Sequence, residues 1–303
     1  MITKWYVTGD THRDFSRFKN YDDLDKQNEN LGVIILGDVG LNYMIETWWP
    51  DYHIKNSLKK KYKFSIYCVK GNHEARPSEC KNMQLVWDDN VNGEVWVEDD
   101  FPNIKYFKEV GEYIINGYHV LVIGGAYSVD KWYRLQFDKK WYASEQLTPK
   151  RLAEPYGKEF VVQNPPQKPL TQEEMDSVKS LTLGKQYDFV FSHTCPISWE
   201  PTDLFLGCID QTTVDTSMEW WMNQVKDTFD WNIWLFGHFH ADRIERPHVQ
   251  QFYMDYEDLD SIWNRWNGKR TYADEWDLNK SPTSKTPIER SFPGTDLRCV
   301  NKV

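Results

Sequence analysis

The 303-residue chain contains no apolar run approaching the ~20 residues that a membrane-crossing helix requires. Its N-terminus enters a strand almost at once, without a basic segment leading into an apolar stretch, so no secretory leader is expected. Cysteine is scarce. Cys68, Cys80, Cys195, Cys208 and Cys299 are odd in number and form no Cys-x-x-Cys pair, which predicts reduced thiols and a cytoplasmic protein. Positive charge is also short: 36 Lys and Arg stand against 46 Asp and Glu, a net charge of −10. That argues against a long nucleic-acid track, which needs clustered cations to displace counterions. It leaves room for a small phosphorylated substrate, because bound metal ions invert the local field. There is no internal repeat.

What is abundant is aromatic surface and short buried strands. Aromatics make up 16% of the chain, with 15 Trp, and read as core and rim packing in a folded protein. Three apolar runs, Trp5-Tyr6-Val7, Val33-Ile34-Ile35-Leu36 and Ile66-Tyr67-Cys68-Val69, read as buried strands. They end in Gly9-Asp10-Thr11-His12, Gly37-Asp38-Val39-Gly40 and Gly71-Asn72-His73-Glu74. Two later strands, Tyr187 to Ser192 and Ile233 to Phe236, end at His193 and at Gly237-His238-Phe239-His240. In an open α/β sheet, ligand sites gather beyond the carboxyl ends of the strands.

The intervening segments are predicted as follows. A short helix and a loop lie between Asp14 and Leu31. Met44 to Lys61 is helical in part, broken at Pro50 and closed by Lys59-Lys60-Lys61. Residues 85–126 form short antiparallel strands, with Asn116-Gly117 as a hairpin turn. Residues 131–185 read as an insertion, with a helix around Trp141 to Leu147 and another opened by Thr171 with Glu174 as a capping box. A helix covers Val214 to Val225 and a closing strand lies near Gln251 to Met254. The chemistry-bearing domain is placed at residues 1–255, with 256–303 as a polar extension whose 281–287 segment reads as loop or disorder.

The strand ends together present Asp10, His12, Asp38, Asn72, His73, His193, His238 and His240, including five of the 8 histidines in the chain. Carboxylate, imidazole and amide without thiolate suit divalent Mn, Fe, Zn or Ni. The set is too large for one ion that keeps an open position. It suits two ions sharing Asp38, an arrangement that clamps both oxygens of an in-line displacement.

The ordered series Asp-x-His, Gly-Asp, Gly-Asn-His-Glu, His and Gly-His-x-His resembles the calcineurin-like metallophosphoesterase superfamily, in a bacterial and phage-type branch. The resemblance implies an α/β fold: a β-sandwich of two mixed sheets flanked by helices, with a di-metal site at the strand ends. It implies that Asp10, His12 and His240 hold one ion, Asn72, His193 and His238 the other, and that Asp38 bridges them. A hydroxide between the ions would be the nucleophile and His73 the general acid. Manganese is the expected metal.

Protein Ser/Thr phosphatases of the superfamily continue the second motif as Gly-Asp-x-x-Asp-Arg-Gly, where this chain has Leu41 and Asn42. That departure leans the reading towards phosphodiester or nucleotide substrates. Phosphate contacts are sought instead from Arg13, Arg76 and Arg134, with Asp130 as a further candidate substrate contact. The loop Gly124 to Lys131, with Arg134, Trp141, Tyr142 and Glu145 behind it, resembles an embellishment of that branch and reads either as a wall of the active site or as a structural lid. The alternatives carried are a protein phosphatase, a nuclease on short or single-stranded ends, and a non-catalytic metal-binding docking scaffold. Neither a membrane nor a long nucleic acid is expected as a partner.

Overall fold

The structure is a computed structural model that describes residues 1–19, 26–42, 49–80, 82–128, 172–205, 207, 211–266 and 283–284. Its strands are β1 (Lys4–Thr8), β2 (Leu31–Ile35), β3 (Ser65–Cys68), β4 (Met83–Asp88), β5 (Gly93–Glu98), β6 (Ile104–Phe107) and β7 (Val110–Ile115). They continue with β8 (Tyr118–Ile123), β9 (Gln186–Ser192), β10 (Asp230–Phe236), β11 (Arg243–Arg246), β12 (Val249–Gln251), β13 (Tyr256–Asp258) and β14 (Thr283–Ser284). The α-helices are α1 (Trp49–Lys61), α2 (Gln172–Thr182), α3 (Ser217–Val225) and α4 (Leu259–Trp266).

These strands form two seven-stranded sheets, β13-β1-β2-β3-β6-β5-β4 and β14-β11-β12-β10-β9-β8-β7. Both are mixed. β1, β2, β3 and β6 run parallel, as do β8, β9, β10 and β12, while the edges pair antiparallel.

The period-2 alternation of a strand explains the layers. Trp5, Val7, Ile34 and Tyr67 point inward and meet Val120, Phe189, Phe191, Ile233 and Leu235 of the second sheet. Their neighbours Tyr6, Val33, Ile35 and Ile66 point outward and pack with Leu58 of α1, Tyr62 and Phe64. On the far side Val190, Trp234 and Phe236 meet Met175 of α2 and Met218 and Met222 of α3. Strands buried on both faces read as continuous apolar runs, which is why they were visible in the sequence. The expected sandwich of mixed sheets flanked by helices is the observed fold.

Several local expectations are corrected. Pro50 does not break the helix. It is the second residue of α1, where its missing N–H costs nothing. The described part of the segment after β1 holds a 3-10 turn, Ser16–Lys19. Residues 85–126 are divided between the sheets, with β6 parallel to β3 and β8 parallel to β9. The edge strand β4 begins at Met83 and leaves Leu85 and Trp87 exposed. The hairpin holds as expected, with Asn116 and Gly117 both at positive φ (53° and 84°), as a tight two-residue turn requires.

The closing strand ends at Gln251 instead of continuing to Met254. The Asp242 carboxylate captures the N–H groups of Tyr253, Met254 and Asp255 at 2.7, 3.0 and 3.0 Å, so they cannot join a ladder. Residues 256–266, left in a polar extension by the sequence, pair with β1 through β13 and bury Leu259 and Ile262 of α4. Within the 281–287 segment, Thr283 and Ser284 pair with β11. The helix expected around Trp141 to Leu147, as well as Thr171, lies outside the described residues.

Candidate metal centre

The parallel strands β1, β2, β9 and β10 and the turn after β3 deliver their side chains to one place. The polypeptide turns sharply to do so. His12, Asp38, His238 and His240 all have positive φ, at 44°, 46°, 70° and 53°. A left-handed backbone at non-glycine residues costs of order 1–3 kcal/mol each and persists only where its surroundings impose it. Two glycines make the close approaches possible. A Cβ on Gly37, itself at φ +100°, would lie 2.1 Å from His193 Nδ1, and one on Gly71 would lie 2.0 Å from Asp38 Oδ1.

Two clusters result, Asp10-His12-His240 and Asp38-His193-His238. The ligand-type atoms within each lie within 4.8 Å of one another. In the first, Asp10 Oδ2 is 3.2 Å from His240 Nε2 and 3.7 Å from His12 Nε2, and the two imidazole nitrogens are 2.8 Å apart. In the second, His193 Nε2 is 2.8 Å from Asn72 Oδ1 and 3.5 Å from Asp38 Oδ1. Asp38 lies between the clusters, its other oxygen Oδ2 facing His12 Nε2 at 4.0 Å and His73 Nε2 at 3.8 Å. All seven predicted ligands are thus brought together, with His73 beside them.

The donor chemistry fits divalent cations. His193 Nδ1 donates to Leu36 O at 2.8 Å, which leaves Nε2 as the nitrogen that faces Asn72 Oδ1 and Asp38 Oδ1, where a cation would take the place of its proton. Asp10 Oδ2 is sealed from solvent without a well-aligned donor, despite the nearby imidazole. Lone pairs converging in a buried space call for positive charge. Burial disfavours the charged forms of Asp10, His12, Asp38, His193 and His238. It pushes His12 down to about 4 and His238 to about 3, the latter helped by His193. His193 moves the other way, up to about 9, because Asp38 and Asp10 outweigh its burial. Asp38 is held well below the usual carboxylate range: burial opposes this, but His193 and His73 prevail.

Several supporting side chains escaped the sequence reading. Glu74, quoted only as part of its motif, accepts the N–H groups of Gly40 (2.8 Å) and Gly71 (3.3 Å) and so ties the second strand end to the third. Arg17, with no sequence signal at all, is buried and donates to Asp10 O at 2.6 Å and to Tyr253 O. The Tyr253 ring stacks on His240 at 4.8 Å. Of the residues expected to grip phosphate, Arg76 is buried and paired bidentately with Glu174 of α2 at 3.0 and 2.8 Å. Arg13 donates to Gly40 O at 2.8 Å and pairs with Asp51 of α1. Asp130 and Arg134 lie outside the described residues.

A match to the family described as calcineurin-like phosphoesterase covers residues 3–242, and so spans every strand end of the centre. The chain belongs to the calcineurin-like phosphoesterase family. The family's use of divalent metals agrees with the two Asp/His clusters. Among curated proteins it is similar to UPF0313 proteins of Clostridium botulinum strains ATCC 19397 and Loch Maree. Each is 32% identical over 98 residues, which is 32% of this chain and 14% of the relative. Among solved structures it is similar to the 5'-nucleotidase from Candida albicans SC5314, at 16% identity and a TM-score of 0.30. That likeness covers 89% of this chain and 54% of the other. No described helix of this phosphoesterase is long and apolar enough to cross a membrane.

Proposed function

We propose that this phosphoesterase hydrolyses small phosphodiesters or nucleotides at a two-ion centre whose shared ligand is Asp38. The observation that carries the reading is the position of Asp38, with one carboxylate oxygen 3.5 Å from His193 and the other 4.0 Å from His12. Asp10, His12 and His240 would hold one ion, and Asn72, His193 and His238 the other. Divalent cations there would polarise the phosphoryl oxygens and lower the pKa of water towards ~7. We take manganese as the first choice, with iron, zinc and nickel behind it.

His73 supplies the remaining acid chemistry. Its backbone N–H donates to Asp38 Oδ1 at 2.8 Å, which fixes the residue beside the bridge. Its ring is 21% exposed, so it reaches both substrate and bulk water. A proton on Nε2 passes to the leaving-group oxygen as the phosphorus–oxygen bond breaks, and solvent restores it for the next turnover.

The substrate class rests on Leu41 and Asn42. Leu41 is buried in the apolar cluster outside the first sheet. The Asn42 amide oxygen accepts from Lys55 at 2.6 Å, and Lys55 is also paired with Glu98. Neither residue offers the Asp-Arg pair of a protein phosphatase, and the net charge of −10 disfavours a long polynucleotide. The buried thiols of Cys68, Cys80 and Cys195, which form no disulfide among the described residues, support a cytoplasmic setting. The test is manganese-dependent hydrolysis of bis-p-nitrophenyl phosphate, p-nitrophenyl phosphate and single-stranded DNA in parallel. The reading expects the diester to be preferred. Preference for the monoester restores the phosphatase, preference for DNA the nuclease, and inactivity on all three the docking scaffold.

A further inference from the structure

We infer that Ser128 is a positioning residue for the second ion, acting through the Asn72 amide; the inference rests on the two-ion reading above. Ser128 and Asn72 are 56 positions apart and both buried, and Asn72 Nδ2 donates to Ser128 Oγ at 2.7 Å. That contact turns Asn72 Oδ1 towards His193 Nε2, 2.8 Å away. The opposite rotation of the amide would turn its oxygen away and present NH₂ to His193 Nε2 and to the position the ion would take. With its NH₂ group held on the far side by Ser128 Oγ, Asn72 keeps its oxygen facing that position.

The loop holding Ser128 is built to keep this distance. Gly125 N–H donates to Lys70 O at 2.8 Å, two residues before Asn72, and Gly124 N–H donates to Glu109 O at 2.7 Å. Ala126 and Tyr127 are buried behind them, Tyr127 in the cluster that includes Cys195, Met218 and Met222. The Gly-Gly-Ala-Tyr-Ser stretch thus serves as a brace for a ligand from a different strand end. Hydrogen-bond partners of metal ligands commonly tune affinity by about 10–100-fold.

The test titrates Mn(II) alone, by calorimetry, into the metal-free full chain and three variants: Ser128→Ala, Asn72→Ala and the double variant. Ser128→Ala is expected to weaken one of two binding events by roughly 10–100-fold and to leave the other within about twofold. Because Ser128 acts only through Asn72, the double variant is expected to bind no more weakly than Asn72→Ala alone. Melting in chelator is expected to fall for Ser128→Ala only by the small shift that one lost buried hydrogen bond gives. If Ser128→Ala does not fold, Ser128→Cys replaces it, since a thiol is a poor acceptor and should weaken the same event. Wild-type affinities in the variant, or effects that add in the double variant, overturn the proposal. A parallel fall in both affinities with a lower melting point in chelator also overturns it. A wild-type chain that takes fewer than two ions overturns the two-ion reading, and this inference with it.

Discussion

The two halves of the centre are built differently. The Asp10-His12-His240 half is partly open, with the His12 and His240 side chains 19% and 20% exposed. In the other half Asn72 and His193 are sealed, with 3% and 0% of their surface exposed, while His238 is partly exposed. In that half two side chains are held from behind by hydrogen bonds, His193 Nδ1 to Leu36 O and Asn72 Nδ2 to Ser128 Oγ. In the open half both histidines are placed by left-handed backbone, as His238 is in the other half, and the Tyr253 ring stacks on His240. The difference teaches that one fold positions equivalent ligands by two routes. One route fixes lone pairs by hydrogen bonds, and the other fixes the backbone.

Breaking the link between the halves has the largest expected effect. Asp38→Asn replaces a shared charge with a neutral amide. Elemental analysis should find the second ion, or both, lost. Activity should fall by more than the roughly 10²–10⁴-fold that loss of a general acid costs. Two retained ions with full activity would remove Asp38 from the bridge. The next effect leaves both halves intact. His73→Ala is expected to keep two ions and to lower kcat by about 10²–10⁴-fold for alkoxide leaving groups, and by less for p-nitrophenolate. A uniform loss on every substrate, or a stripped ion, would make His73 an anchor or a ligand instead.

The comparison itself is tested by kinetics. Brief exposure to chelator should remove the ion of the open half first, roughly tenfold or more faster, the scale on which supporting hydrogen bonds tune metal sites. Stopped-flow chelation that shows a single phase for both ions would erase the distinction.

The smallest effect concerns Glu219 of α3, behind the sealed half. Its Oε1 accepts from Thr194 Oγ1 at 2.7 Å, and its Oε2 is buried without a partner among the described residues. Burial pushes its pKa up to about 8. The folded state therefore holds this proton more tightly than the unfolded chain does. The resulting stabilisation is full at low pH and is lost as pH rises from about 4.5 through about 8. In metal-free protein, Glu219→Gln should flatten the fall in melting temperature across that window, by the equivalent of a few kcal/mol. Identical slopes for the two proteins would show that Glu219 is ionised when folded.

The candidate ligands were legible in the sequence because each follows an apolar strand buried on both faces, and such strands are readable. Asp10, Asp38, Asn72, His193 and His238 stand where those runs end. What sets their orientation was not readable. Ser128 acts on Asn72 from 56 positions away, and Arg17 joins Asp10 O to Tyr253 O, 236 positions from itself; no local pattern marks such contacts. β13 and α4 were missed because Tyr256–Asp258 is short and polar, and is a strand only because β1 offers it a partner. Pro50 was misread because the same residue that breaks a helix interior suits a helix start.

The central claim is that Asp38 joins two ions in one centre, and the electron paramagnetic resonance spectrum of manganese-loaded protein tests it most directly. The account predicts the half-spaced hyperfine pattern of an exchange-coupled pair in the wild type and its disappearance in Asp38→Asn. The pattern of isolated, uncoupled manganese in fully loaded wild-type protein would contradict it.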